Sequence, residues 1–318
     1  MFAALICTIL FSISVICGHR SAKLIGGTEA NFWRVTVATF FLGIWAYSFG
    51  AGLSGEAFPV FLLSGIAGIG LGDVAFFQAL PRLGPRLASL LVQCLTAPGA
   101  ALIEWLWLGT TLTASQILGG LIILVGVGIA LAPGEHMHLT RRQLVVGTLA
   151  SLIAALGGAG GAVLSRKAYV IVHTNHQSID PFSAGFQRLG GGLLIAGICL
   201  LTVKRGEIAR LANLWFRGAA QPEVSLPSSL PAANSVPKWR RVWPWILVNG
   251  LAGQTFGVSA MQWALETTPT GIVLAIIAMT PIVVIPFAVI TEGERPTTRS
   301  LIGGLVAVGG VIGLTLTR

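Results

Sequence analysis

Charge is what this sequence lacks. Only 10% of its 318 residues are Asp, Glu, Lys or Arg, 54% are hydrophobic, and the mean hydropathy is +0.83; a soluble domain carries about 25% charge. So few ionisable groups cannot cover a water-facing surface, whereas a surface facing lipid needs none. Acids are the scarcer sign, 11 against 20 Lys and Arg, leaving a net charge of +9. Such a balance suits nucleic acid only if the cations form a phosphate-tracking stripe. Here all but Arg34 and Arg188 lie between or beside apolar runs. They read as orientation signals and headgroup contacts, and nucleic acid drops out as a partner.

Cysteine and histidine are sparse as well. Cys7, Cys17, Cys94 and Cys199 each sit in an apolar run with no CxxC pair, which gives no thiolate metal site and no disulfide framework. The histidines all fall between apolar runs, His136 and His138 in one connection and His173 and His176 in the next. Successive connections lie on opposite sides of a membrane, so no shared metal site is expected. No GxSxG, P-loop or HExxH motif occurs, which argues against a hydrolase or an ATP-driven pump. Neither an enzyme nor a cofactor is expected.

What the chain has is long apolar runs. A spanning helix takes roughly 20 mostly apolar residues, and ten such runs are present, at residues 2–18, 30–48, 57–80, 86–108, 114–132, 143–165, 181–203, 242–265, 269–290 and 299–316. They predict an all-α integral membrane protein of ten transmembrane helices. The first run has no basic residue before it and no small-residue cleavage site with a mature domain behind it, so it reads as a helix and not a leader. Connections are short except 204–241, which holds Lys204, Arg205, Arg210, Arg217, Lys238, Arg240 and Arg241 and a Pro/Ser-rich stretch. Its composition predicts a flexible, partly extended surface loop.

The chain also matches itself. Ala30, Phe32, Arg34 and Gly43 line up with Ala184, Phe186, Arg188 and Gly197; Pro59, Gly65, Gly68 and Gly72 with Pro244, Gly250, Gly253 and Gly257; Gly119, Gly120 and Gly126 with Gly303, Gly304 and Gly310. The offset is 154 residues in the second span and 184 or 185 beyond it, the jump falling in the basic loop. Two units result, 1–133 and 143–318, the second interrupted by 204–241. Each has five spans, an odd number, so the halves enter the membrane from opposite sides. Inverted repeats place a site near the midplane and work by alternating access.

The run Gly72-Asp-Val-Ala-Phe-Phe-Gln-Ala-Leu-Pro-Arg-Leu-Gly-Pro-Arg-Leu-Ala-Ser-Leu-Leu91, with Ala97-Pro98, Leu108-Gly109-Thr-Thr-Leu-Thr113 and, later, Pro281, Glu292-Gly-Glu-Arg-Pro-Thr297 and Leu301-Ile-Gly-Gly304, resembles the EamA-type unit of the drug/metabolite transporter superfamily. Two tandem copies cover nearly the whole chain outside the loop. The resemblance implies a ten-helix secondary transporter, in many members an exporter of amino acids or other small metabolites. One departure is Thr110, where the family usually has Leu-Gly-Glu; the second half keeps Gly293-Glu294.

Ionisable groups at membrane depth cost about 2.5–3.5 kcal/mol on insertion scales and are functional candidates by default. Asp73, Glu104, Arg34 and Arg188 qualify. At 1.5 Å per residue, Asp73 lies roughly 10 Å and Arg34 roughly 6 Å from the same membrane face, so these two can pair. Glu104, near the far end of its span, reads as reaching the opposite interface. Arg188 matches Arg34, but Val258 stands where an acid would match Asp73. Arg188 is therefore the candidate anchor for a substrate carboxylate or phosphate, its planar fork suiting an anion. Asp73 with Arg34 is a candidate structural or proton-sensitive pair, with H+ as coupling ion. The competing reading has both arginines snorkelling to headgroups.

Neutral polar groups complete the substrate-site candidates. Gln78, Gln93, Gln254, Ser259 and Gln262 lie in the third, fourth and eighth spans beside Asn249, Thr255 and Thr280; Trp263 and Phe77 are candidates for stacking. Hydrogen bonding between helices is the alternative use of such groups. Gly68-xxx-Gly72 and Gly253-xxx-Gly257 mark close helix packing. Pro98 and Pro281 are candidate hinges, each removing a helical hydrogen bond.

Two orientation arguments disagree. The odd-numbered connections carry most of the cations, which places them in the cytoplasm and both termini outside; resemblance to the family implies the reverse. The functional expectation is a multi-pass inner-membrane secondary transporter that exports a small metabolite, with membrane lipids around it. Its alternative is a translocase for a lipid or lipid-linked sugar.

Overall fold

The computed structural model describes residues 1–131, 140–216, 238–284 and 298–316, and among these every regular element is helical. Spans one and two are Phe2–Ile25 and Gly27–Ser48. They are joined by Gly26 alone, whose φ of +90° is open to glycine and strained for other residues. A one-residue turn replaces the connection expected over 19–29. Span three begins as Phe58–Gly65, becomes π-helical over Ile66–Gly72 and runs on into Asp73–Leu108.

Asp73–Leu108 is helical throughout yet contains two spans. A Cβ on Gly72 would stand 3.3 Å from Gly158 N, and a Cβ on Gly158 3.5 Å from Thr96 Cγ2. Gly72 and Thr96 thus lie on the same stretch of span six, although a straight helix would hold them about 36 Å apart. Leu83 packs at Gly147, so the chain reverses near there and returns as span four. Span five is Ala114–Leu131, span six Arg141–Thr174 and span seven Pro181–Phe216. A Thr140/Gln143 capping box starts span six.

Span seven continues well past its apolar run. Residues 204–216 of the expected flexible loop are its helical end, and Lys238 already begins span eight, leaving 217–237 outside the described residues. Span eight is Lys238–Asn249, a π-helical Gly250–Gly257, and Val258–Thr267. Span nine, Thr270–Ile277, breaks at Ala278 and resumes over 280–284; span ten is Thr298–Leu316. The Glu292–Thr297 motif also lies outside the described residues. Five stretches, Phe2–Ile25, Phe58–Ala79, Leu91–Leu108, Arg141–Thr174 and Pro181–Gly206, are long and apolar enough on their own to cross a bilayer.

Contacts between the halves come in exchanged pairs. A Cβ on Gly43 would meet Phe186 at 3.1 Å, and one on Gly197 would meet Phe32 at 3.8 Å. These are the two repeat pairs 32/186 and 43/197 with partners swapped. Gly65 lies against the Arg188 carbonyl and Gly250 against that of Arg34; Gly126 faces Gly303, and Gly119 faces Gly310. Swapped partners are the mark of a two-fold axis. Spans five and ten run antiparallel, as the pairs 119/310 and 126/303 require, so the axis lies in the membrane plane and the repeats are inverted. The Gly68-xxx-Gly72 seam closes on Gly157 and Gly161 of span six, and its twin closes on Ser14 and Phe11 of span one.

Candidate functional site

Three polar clusters sit at membrane depth. The first is centred on Arg188, which span seven presses against the π-helical part of span three. The side chain is 4% exposed. Gly68 makes room for it, as Gly65 does for the Arg188 backbone: a Cβ on Gly68 would be 2.6 Å from Arg188 Nη2. Arg188 Nη1 donates to Ser165 Oγ at 3.0 Å, and Gln262 Nε2 donates to the same oxygen at 3.1 Å. Ser165 Oγ lies 2.7 Å from Ser64 Oγ, which donates to the Gly161 carbonyl at 2.7 Å. With the Ser64 proton committed there, Ser165 is the donor to Ser64.

Every hydrogen bond in this chain therefore points away from Arg188 and Gln262. One buried donor, Arg188 Nε, and one buried acceptor, Gln262 Oε1, are left without a partner, and such groups cost about 1–3 kcal/mol each. Among the described residues no carboxylate lies within ion-pairing distance of Arg188. Gln254 Oε1 and Thr255 Oγ1, in the π-helical part of span eight, are likewise buried and unpaired. Ser259 is buried and donates to the Thr255 carbonyl at 2.7 Å.

In the second cluster, Arg34 Nη2 meets Asp73 Oδ2 at 2.5 Å and Arg34 Nε donates to Asn31 Oδ1 at 2.8 Å. The guanidinium also lies 5.8 Å from the Phe77 ring centroid. Beside the pair is a cavity of about 220 Å³ between spans two, three and seven, lined by Thr28, Asn31, Phe77, Gln78 and Cys199 among others. Arg34 and Asp73 meet across spans two and three, and the repeat-equivalent arginines differ in the way the sequence implies: one neutralised, one not.

The third cluster places Glu104 only partly as expected. Glu104 lies at the span-end level expected of it, against the turn between spans eight and nine, but its side chain is 2% exposed instead of reaching headgroups. Its Oε2 accepts the Thr270 N–H at 2.6 Å, and its Oε1 lies 3.7 Å from Arg166 Nε. Arg166 Nη1 in turn donates to the carbonyls of Leu265 and Glu266 at 2.7 and 2.5 Å. One ion pair thus caps both the end of span eight and the start of span nine, where the backbone groups lack helical partners.

The remaining candidates are scattered. Trp263 is 48% exposed on the outer face, edge-on to Phe2. Gln78 is exposed and accepts from Arg82 Nη1; Gln93 is half-buried and Pro98 exposed. Pro281 follows the break in span nine, and the Ile277 carbonyl it leaves free accepts from Thr280 Oγ1 at 2.6 Å. Thr8 and Ser12 of span one donate to the neighbouring Ile276 and Thr280 carbonyls at 3.2 and 3.1 Å. Ser64, Ser165 and Arg166 were not singled out from the sequence; a helical serine or an arginine near a span end carries no signal until its partner is known.

The sequence profile of the EamA-like transporter family matches residues 1–132 and 224–316, the greater part of the chain and both repeats. The chain belongs to the EamA-like transporter family. It is a multi-pass membrane transporter of the drug/metabolite type, which implies a small-molecule substrate and a lipid environment. No curated protein matches the chain. Among solved structures, one titled only "Crystal structure of protein" is similar over 100% of this chain and 99% of its own, with a TM-score of 0.72 and 18% identity; at that identity the likeness concerns the fold. The Arg188 cluster draws on span three of the first half and spans six, seven and eight of the second.

Proposed function

We propose that this EamA-like protein is a gradient-driven secondary transporter that exports a small metabolite carrying a carboxylate, an amino acid or close relative. The observation that supports this is the unpaired donor and acceptor left by the Arg188 cluster. A carboxylate suits Arg188, whose fork can take two oxygens; an ammonium or amide N–H suits Gln262 Oε1. Gln254, Thr255 and Ser259 supply further polar surface nearby. Asp73 is the proposed carrier of the coupling proton. Its protonation would release Arg34, and the asymmetry between the two arginines would couple ion to substrate.

The test is metabolite profiling of spent medium and cell extract from hosts expressing the wild type, Arg188→Lys or Arg188→Ala at matched membrane abundance. Export of a carboxylate-bearing metabolite by the wild type, reduced at least tenfold in both variants, supports the anchor. Unaltered export in both removes Arg188 from the site. Altered membrane lipids with unchanged soluble pools would favour a lipid or lipid-linked sugar translocase instead.

A further inference from the structure

The seam between spans one and eight ends in a patch that contains no residue of the three polar clusters. At the start of span eight, Trp239 and Trp243 pack with Trp33 of span two, the three ring centroids 5.6–6.1 Å apart. Trp245, on the other side of the same turn, carries Arg20 of span one 4.5 Å above its ring. Lys23, Arg240 and Arg241 are exposed at the same level, because spans one and eight run antiparallel with Gly18 against Asn249 and Arg20 against Trp245. None of these four cations is in an ion pair among the described residues, and Glu29, the acid of the adjoining first turn of span two, is taken by Lys204 at 2.7 Å. Trp239 and Trp243 remain 39% and 40% exposed.

The inverted repeat supplies an internal control. At the same offset that pairs Gly65 with Gly250, the counterparts of Arg240, Arg241, Trp243 and Trp245 are Gly55, Glu56, Phe58 and Val60. Ser14 answers Gly161 across the equivalent seams, which puts Lys167 and Val170 where Arg20 and Lys23 stand. The six counterpart positions thus hold one cation, one acid and no indole. Packing does not demand four cations and a tryptophan cluster here; the chemistry outside the helices at this membrane face does.

We propose that this patch is a binding site for an anionic phospholipid, its headgroup phosphate held by Arg20, Lys23, Arg240 and Arg241 and its glycerol and upper acyl carbons against Trp33, Trp239 and Trp243. Indoles sit at headgroup depth with one wet and one apolar edge, and basic pockets between helices suit anionic headgroups. Spans one and eight belong to different repeats, so the bound lipid bridges the halves. The proposal is independent of the transported substrate.

The test uses the purified full chain in mild detergent. Phosphatidylglycerol is expected to raise the melting midpoint saturably, whereas phosphatidylcholine and inorganic phosphate do not. Brominated phosphatidylglycerol should quench tryptophan fluorescence, and a Trp33→Phe/Trp239→Phe/Trp243→Phe variant should lose much of that quenching. Arg240→Gln/Arg241→Gln should bind phosphatidylglycerol about thirtyfold more weakly, near a fivefold loss per cation removed at the surface. Raising the salt on the wild type should weaken binding without any substitution, so the proposal stays testable if a variant misfolds. Equal shifts with phosphatidylcholine, a shift reproduced by inorganic phosphate, or salt-insensitive binding would each overturn it.

Discussion

At the scale of the residue, the asymmetry between Arg34 and Arg188 matters most. The two occupy equivalent places, and each carbonyl is met by a glycine of the opposite half. One guanidinium has Asp73 and Asn31; the other has a serine and an unpaired Nε. Asp73→Asn is expected to leave abundance intact and to abolish transport driven by an imposed proton gradient in vesicles, while exchange of substrate across the same membrane persists. Loss of both processes would assign Asp73 to substrate binding or folding. Gly68→Ala presses a methyl group onto Arg188 Nη2 and is expected to cost about 1–3 kcal/mol or to displace the guanidinium. Gly128→Ala, with nothing within 4 Å of its new carbon, should match the wild type in melting and transport.

Among the elements, the Glu104–Arg166 pair is a joint. Glu104→Ala would leave the Thr270 N–H unsatisfied and Arg166 without its anion. A loss of about 1–3 kcal/mol in stability is expected, read as a lower melting midpoint in detergent. Glu104→Gln keeps an acceptor for Thr270 and should lose less. A sequence shows which stretches are apolar, so all ten spans were legible, and the pairing of Arg34 with Asp73 followed from their depths. It does not show what a side chain meets. The span-end level of Glu104 was countable along the helix, while the turn between spans eight and nine that folds over it and buries it was not. The helical end of span seven was missed because Lys204, Arg205 and Arg210 end an apolar run without ending a helix. The π-helical stretches left only a richness in glycine, and Ser165 left no trace.

For the whole molecule, the in-plane two-fold axis makes equivalent substitutions comparable. Gly126→Val and Gly303→Val each push a side chain into the opposing backbone of spans ten and five, at 2.5–2.6 Å from its nearest atoms. Each should lower the melting midpoint by a similar amount, and the double variant by less than the sum, since one widening of the crossing relieves both. A C-terminal reporter that works only in the cytoplasm reads the orientation: silence is expected from the distribution of cations, and a bright one would reverse both that expectation and the leaflet in which the span-eight lipid patch lies.

The exchanged contacts have a consequence for assembly inside the cell. Because Gly43 meets Phe186 while Phe32 meets Gly197, each half offers both the knob and the hollow that it needs from the other. Two first halves inserted in opposite senses would find each other nearly as complementary as the true pair. What keeps the first halves of neighbouring chains from pairing with each other is the sense of insertion, since copies threaded the same way are related by an axis along the membrane normal and two like halves cannot form this interface. If Arg20, Lys23 and the other cations of that face fix which way each half is threaded, they act as traffic rules: a first half is left with only second halves to pair with.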